Sequence, residues 1–163
     1  MVIILSMKTK ENTIEIIETL KKREQSITFA ESCTGGRIAS AFTAISGASS
    51  VLNGSVISYS NEIKAKWLKV SQETLAQYGA VSKECVEEML IGVTKLANSN
   101  YAIAVSGIAG PTGGTADKPV GTVYIGISNQ TNILIERHLF RGNRDSIQTQ
   151  ATDTAIALLK NFL

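Results

Sequence analysis

Two stretches of this chain, "ITFAESCTGGRIASAF" and "YAIAVSGIAGPTGG", each run a short apolar segment directly into a glycine-rich turn. In the first, Ile27 and Thr28 suit a strand, Gly35 and Gly36 suit a tight turn, and Ile38, Ala39, Phe42 and Ile45 recur at helical spacing. The order is strand, turn, helix. In open α/β sheets, ligands bind beyond the carboxyl ends of the strands, where such turns lie. This order therefore places "ESCTGG" and "SGIAGPTGG" at one edge of a shared sheet.

The rest of the chain alternates in the same way. Ile14, Ile16, Ile17 and Leu20 trace a helix over 12–20, and "ISGASSVLNGS" reads as a loop before a strand, "SVISYS". "NEIKAKWL" reads as a short helix capped by Asn61. A further helix runs from Ser71 to Tyr78 and breaks at Gly79, and another, capped by Ser82, reaches Ala97. From Gly107 to Gly121 no periodicity is visible, and this connection is far longer than the usual one of about 4–6 residues, which points to function. "TVYIGIS" and "ILIERHLF" form a hairpin about "NQTN", and Ile147, Ala151, Ala155, Leu158, Leu159 and Phe162 mark one face of a terminal helix. The expected fold class is α/β, a three-layer α/β/α sandwich whose mixed sheet is covered on both faces. At 163 residues and 44% hydrophobic, the chain suits one domain, 1–163, with residues 1–8 an N-terminal appendage if translation starts near Met7.

Composition removes several classes of function. Sixteen basic against fourteen acidic residues give a net charge of +2, with no basic stripe, so no nucleic-acid partner is expected. The densest basic cluster, "LKKRE", falls at a helix end, where cations suit the dipole. The opening "MVIIL" is far short of the roughly 20 apolar residues that span a bilayer, so no membrane association is expected. Cys33 and Cys85 are no disulfide framework and fit a reducing cytoplasm. His138 is the sole histidine and sits within a strand pattern, so histidine-based catalysis and a zinc site are both disfavoured.

A hydrolase built from these residues needs another base. Ser32, at the strand-to-helix turn, is either a nucleophile beside free helix N–H groups or an N-cap; Thr34 is a cap or a ligand hydroxyl. Lys64 can serve as general base if burial lowers its pKa, with Tyr59 relaying the proton or orienting the groups. Cys33 is a rival nucleophile or a small buried residue. Gly107, Gly110, Gly113 and Gly114 can turn successive N–H groups toward an anion, with Ser106 adding a hydroxyl. Neither GxxxxGK[ST] nor GxGxxG is present. A non-catalytic nucleotide-binding module therefore stands beside the enzyme reading.

Taken in order, "AESCTGG", "SYSNEIK", "YGAVS", "SGIAGPTGG" and "KPVGTVYI" closely resemble the CinA C-terminal domain family, the stand-alone nicotinamide-nucleotide amidohydrolases known as PncC. The resemblance runs from about Thr28 to the final helix. It implies a cytoplasmic α/β/α enzyme that hydrolyses the carboxamide of nicotinamide mononucleotide to nicotinate mononucleotide and ammonia, in pyridine-nucleotide salvage. It also implies Ser32 as nucleophile with Lys64 and Tyr59, and substrate contacts from Thr34, Gly35, Gly36, Ser106, Gly107, Gly110, Gly113, Gly114 and Arg144. Arg144 would pair with the substrate phosphate. No metal or other cofactor is implied, the partner is a small pyridine nucleotide, and a homo-oligomer is expected. The chain departs from the family pattern at Ser106, where relatives carry threonine, at Gly54-Ser55, where they carry Gly-Gly, and at Gln148, where many carry arginine.

Overall fold

A computed structural model describes residues 6–163. Among the described residues, five strands and six α-helices alternate in the order that the periodicities suggest. The elements are α1 (Met7–Lys22), β1 (Ile27–Glu31), α2 (Arg37–Thr43), β2 (Leu52–Ile57), α3 (Asn61–Leu68), α4 (Gln72–Gln77), α5 (Lys83–Ala97), β3 (Tyr101–Gly107), β4 (Thr122–Ser128), β5 (Ile133–Leu139) and α6 (Arg144–Phe162). A short 3-10 turn, Ala48–Ser50, precedes β2. One sheet runs β2-β1-β3-β4-β5, with β1 parallel to β2 and β3, and β4 antiparallel to both β3 and β5. The sheet is mixed, as expected.

Side-chain alternation along the central strands divides the interior in two. Phe29, Ile103 and Val105 point to the face covered by α1, α2 and α6, where Ile16, Leu20, Ile38, Phe42, Ile147 and Ile156 complete one core. Ala30, Ala102 and Ala104 point to the other face, against Val86, Met89, Leu90 and Val93 of α5. Small strand residues let α5 lie close to the sheet. α3 lies closer still to α5: a Cβ added at Gly92 would sit 1.9 Å from the Leu68 carbonyl oxygen. This contact sets where α3, and everything it carries, stands relative to the sheet.

Several boundaries differ from the sequence reading. Ser60, one residue before Asn61, caps α3, its hydroxyl accepting from the Ile63 N–H; Asn61 is already helical. β2 begins at Leu52, inside the stretch read as loop, and takes in Asn53 and Gly54 because β1 pairs with it from Ile27↔Leu52 to Glu31↔Ile57. The strand stops before "SYS", which turns into α3. α1 starts five residues before Asn12, capped by Ser6, and its first turn is tied to α6 by a 2.6 Å hydrogen bond from Thr9 Oγ1 to Asp153 Oδ1. Met7 and Lys8 thus belong to α1, and residues 1–5 of the expected appendage lie outside the described residues. The cap at Ser82 is as expected, whereas Ser71, read as the first residue of its helix, is the cap of α4, and His138 lies in β5 opposite Val123, stacked on Phe140.

Candidate functional site

The parallel pairing of β1 with β3, Ile27↔Tyr101 through Glu31↔Val105, brings both glycine-rich turns to the same end of the sheet. Between them opens a cavity of about 260 Å³, lined by Ser32 and Cys33 after β1, Tyr59, Asn61 and Lys64 around α3, and the loop after β3. Ala80 and Val81, between α4 and α5, and Arg144 at the start of α6 complete it. Long-range pairing builds this site.

At its floor, Lys64 Nζ lies 2.9 Å from Ser32 Oγ and donates a 2.7 Å hydrogen bond to the Ser58 carbonyl. The lysine is 1% exposed. Burial pulls its pKa below the ordinary lysine range, because desolvation penalises the ammonium more than the amine. Its hydrogen-bond partners, Ser32 Oγ and the Ser58 carbonyl, are neutral, and among the described residues no carboxylate pairs with it. Such a lysine is suited to accept a proton.

Cys33 also lines the cavity, but burial pushes its thiol up to about 12, so it stays protonated near neutral pH. Cys85, buried in the first turn of α5, is pushed up to about 11 for the same reason. As a rival nucleophile Cys33 would therefore start as the thiol, with Lys64 left to take its proton.

The turn "ESCTGG" is organised by a residue that the sequence reading assigned no role. Glu31, at the end of β1, is fully buried and accepts from Thr34 Oγ1 at 2.7 Å and from the N–H groups of Gly36, Ile38 and Ala39 at 3.0, 3.1 and 2.9 Å. The first N–H groups of α2 are thereby occupied. The expectation that they face an oxyanion or a phosphate does not hold. The Cys33 N–H, in contrast, has no oxygen or nitrogen acceptor among the described residues. It belongs to the residue immediately after Ser32, a position from which a backbone N–H can serve an oxyanion.

Other expected residues divide between the cavity and its supports. Ser106, Gly107, Gly110 and Gly113 line it, with the Ser106 hydroxyl donating to the Ala80 carbonyl and so fixing the far wall. Arg144 spans the mouth, donating to the Gly110 carbonyl at 2.7 Å and to the Tyr59 hydroxyl at 2.6 Å. Tyr59 is 60% exposed, and its hydroxyl bond is to Arg144, with neither Lys64 nor Ser32. Thr34 is buried with its hydroxyl on Glu31, and Gly35, Gly36 and Gly114 lie off the cavity lining. Gly36, at φ +96°, is the αL residue that precedes α2. Gln148 Nε2 donates to the Cys33 carbonyl while its oxygen accepts from Arg37, bracing the turn from α6.

A family model described as the CinA C-terminal domain matches residues 9–163. The chain belongs to this family. A CinA-like protein of Thermosipho melanesiensis is 48% identical over 153 residues, which is 93% of this chain but 38% of that relative. The chain thus spans less than half the length of the curated relatives it matches. Two solved family structures are matched along nearly their whole length. One is the competence/damage inducible protein CihA from Agrobacterium tumefaciens, 35% identical with a TM-score of 0.94 over 97% of each chain. The other is the competence damage-inducible protein A (ComA) from Klebsiella pneumoniae, 38% identical with a TM-score of 0.91, covering 94% of this chain and 95% of that one. The expected α/β fold is that of the CinA structures.

Proposed function

We propose that this chain is a nicotinamide mononucleotide deamidase that uses Ser32 as nucleophile and Lys64 as general base. The observation that carries this reading is the 2.9 Å approach of a buried lysine amine to a serine hydroxyl at the floor of a cavity. Neutral Lys64 takes the Ser32 proton as Oγ attacks the carboxamide carbon. The developing oxyanion is met by the Cys33 N–H, and the Lys64 ammonium returns the proton to the departing nitrogen, which leaves as ammonia. Lys64 then takes a proton from water as its oxygen attacks the acyl ester, and returns that proton to Ser32 Oγ as the carboxylate is released. Both steps are acyl transfers with a proton relayed through Lys64, and the scheme calls on no metal or redox cofactor.

The cavity mouth supports a nucleotide over a free amide. Arg144 offers a planar guanidinium fork, suited to a phosphate, and Tyr59 steadies it. Incubation of the purified protein with nicotinamide mononucleotide should release ammonia and nicotinate mononucleotide in equal amounts. Ser32→Ala should lower kcat by roughly 10⁴-fold or more with its melting temperature retained. Full activity in that variant rejects the mechanism. A wild-type protein that binds the nucleotide without releasing ammonia would make the site a binding module.

A further inference from the structure

The buried carboxylate of Glu31 accepts four hydrogen bonds, and the scheme above makes no use of it. A carboxylate with no exposed surface is costly unless its lone pairs are met. Here four donors meet it, all within the eight residues that follow it in the chain: one hydroxyl and three backbone N–H groups. The contacts serve opposite ends of the turn. Thr34 belongs to the segment that follows Ser32 and Cys33, whereas Ile38 and Ala39 belong to the first turn of α2. Glu31's own carbonyl accepts from the Ser58 N–H, and the Ser58 carbonyl accepts from Lys64 Nζ. One residue therefore touches the frame of both members of the pair.

We infer that Glu31 is a positioning residue: its carboxylate clamps Thr34 to the start of α2, which fixes the "SCT" segment so that Ser32 Oγ meets Lys64 and the Cys33 N–H remains free for the oxyanion. This rests on the serine–lysine reading above. The carboxylate caps α2, since Gly36 precedes the helix without any capping side chain, but its reach extends beyond the helix. A carboxylate that needed only a helix cap would have no use for Thr34 Oγ1, its shortest contact at 2.7 Å.

The test compares Glu31→Gln, Thr34→Val and Thr34→Ser with wild type in three readouts: melting temperature, kcat and KM for nicotinamide mononucleotide, and the rate at which a small fluorophosphonate labels Ser32 by intact mass. Glu31→Gln keeps the shape but sets an amide N–H against backbone donors. It should lower kcat and labelling by about 100-fold, the scale of a small misplacement of reacting groups. Thr34→Val should lower both by about tenfold with KM changed by less than about twofold, and Thr34→Ser, which keeps the hydroxyl, should restore them. Melting temperatures that fall while kcat and labelling stay at wild-type values would overturn the inference and leave the mechanism standing. Should Glu31→Gln fail to fold, the threonine pair decides alone, equal rates in Thr34→Val and wild type counting against it. Wild-type protein that neither turns over nor labels at Ser32 removes the mechanism itself and this inference with it. Labelling without turnover removes only the assigned substrate, and the variants are then ranked by labelling rate.

Discussion

Replacing Lys64 with methionine separates two roles of one side chain. Methionine fills similar space without a charge to desolvate, so Lys64→Met should abolish turnover and raise the melting temperature, each kcal/mol gained being worth about 2–4 °C in a chain of this size. The sign of the pH dependence follows from the lowered pKa of Lys64. Below the folded-state pKa both states hold the proton, and the full penalty of burying the ammonium falls on the fold. Between that pKa and the unfolded value of about 10.4 only the unfolded chain holds it, and stability climbs with pH. The advantage of the methionine variant in thermal melts should thus be largest at low pH and shrink as pH rises toward that value. In wild type, kcat/KM should rise with pH as the amine loses its proton, on a limb shifted below the ordinary lysine range. Residue type and placement at or after strand ends singled out Ser32, Lys64 and Ser106, and all three line the cavity, although the Ser106 hydroxyl is spent on the Ala80 carbonyl. Glu31 was not singled out, because its donors are mostly backbone groups, which every sequence possesses.

At the scale of elements, the packing of α3 on α5 decides whether Lys64 reaches Ser32. Gly92→Ala places a methyl 1.9 Å from the Leu68 carbonyl oxygen, so the two helices must separate. The expected cost is about 1–3 kcal/mol by chemical denaturation, as for other overpacked interiors. A fall in kcat should accompany it, since the displaced helix carries the base; a destabilised variant with unchanged kcat would show that α3 moves without Lys64. Periodicity made α5, α6 and the β4–β5 hairpin plain in the sequence, since each carries a long unambiguous pattern. β2 was read short because Asn53 and Gly54 look like loop residues, and pairing to β1 overrides that local preference. The extra first turn of α1 depends on Thr9 meeting Asp153, a contact invisible to local pattern.

At the scale of the whole molecule, both thiols are buried and pushed up to about 12 and about 11. Iodoacetamide near neutral pH should therefore label neither Cys33 nor Cys85 in the native protein and leave activity intact, while both react fully once the chain is unfolded. Labelling of Cys33 with parallel loss of turnover would return the cysteine to contention. The α/β/α layering was legible because alternating periods admit few other arrangements. The cavity's exact lining was less so, since Ala80, Val81 and Asn61 have no chemistry of their own to announce them. The parallel β1–β3 pairing joins residues 27–31 to 101–105, so a large loop must close before the two turns meet. A chain whose helices have formed while its sheet is still open keeps Lys64 in water, fully protonated at neutral pH. Such an intermediate has no base, and regained turnover during refolding becomes a clock for sheet closure, silent to every step that precedes it.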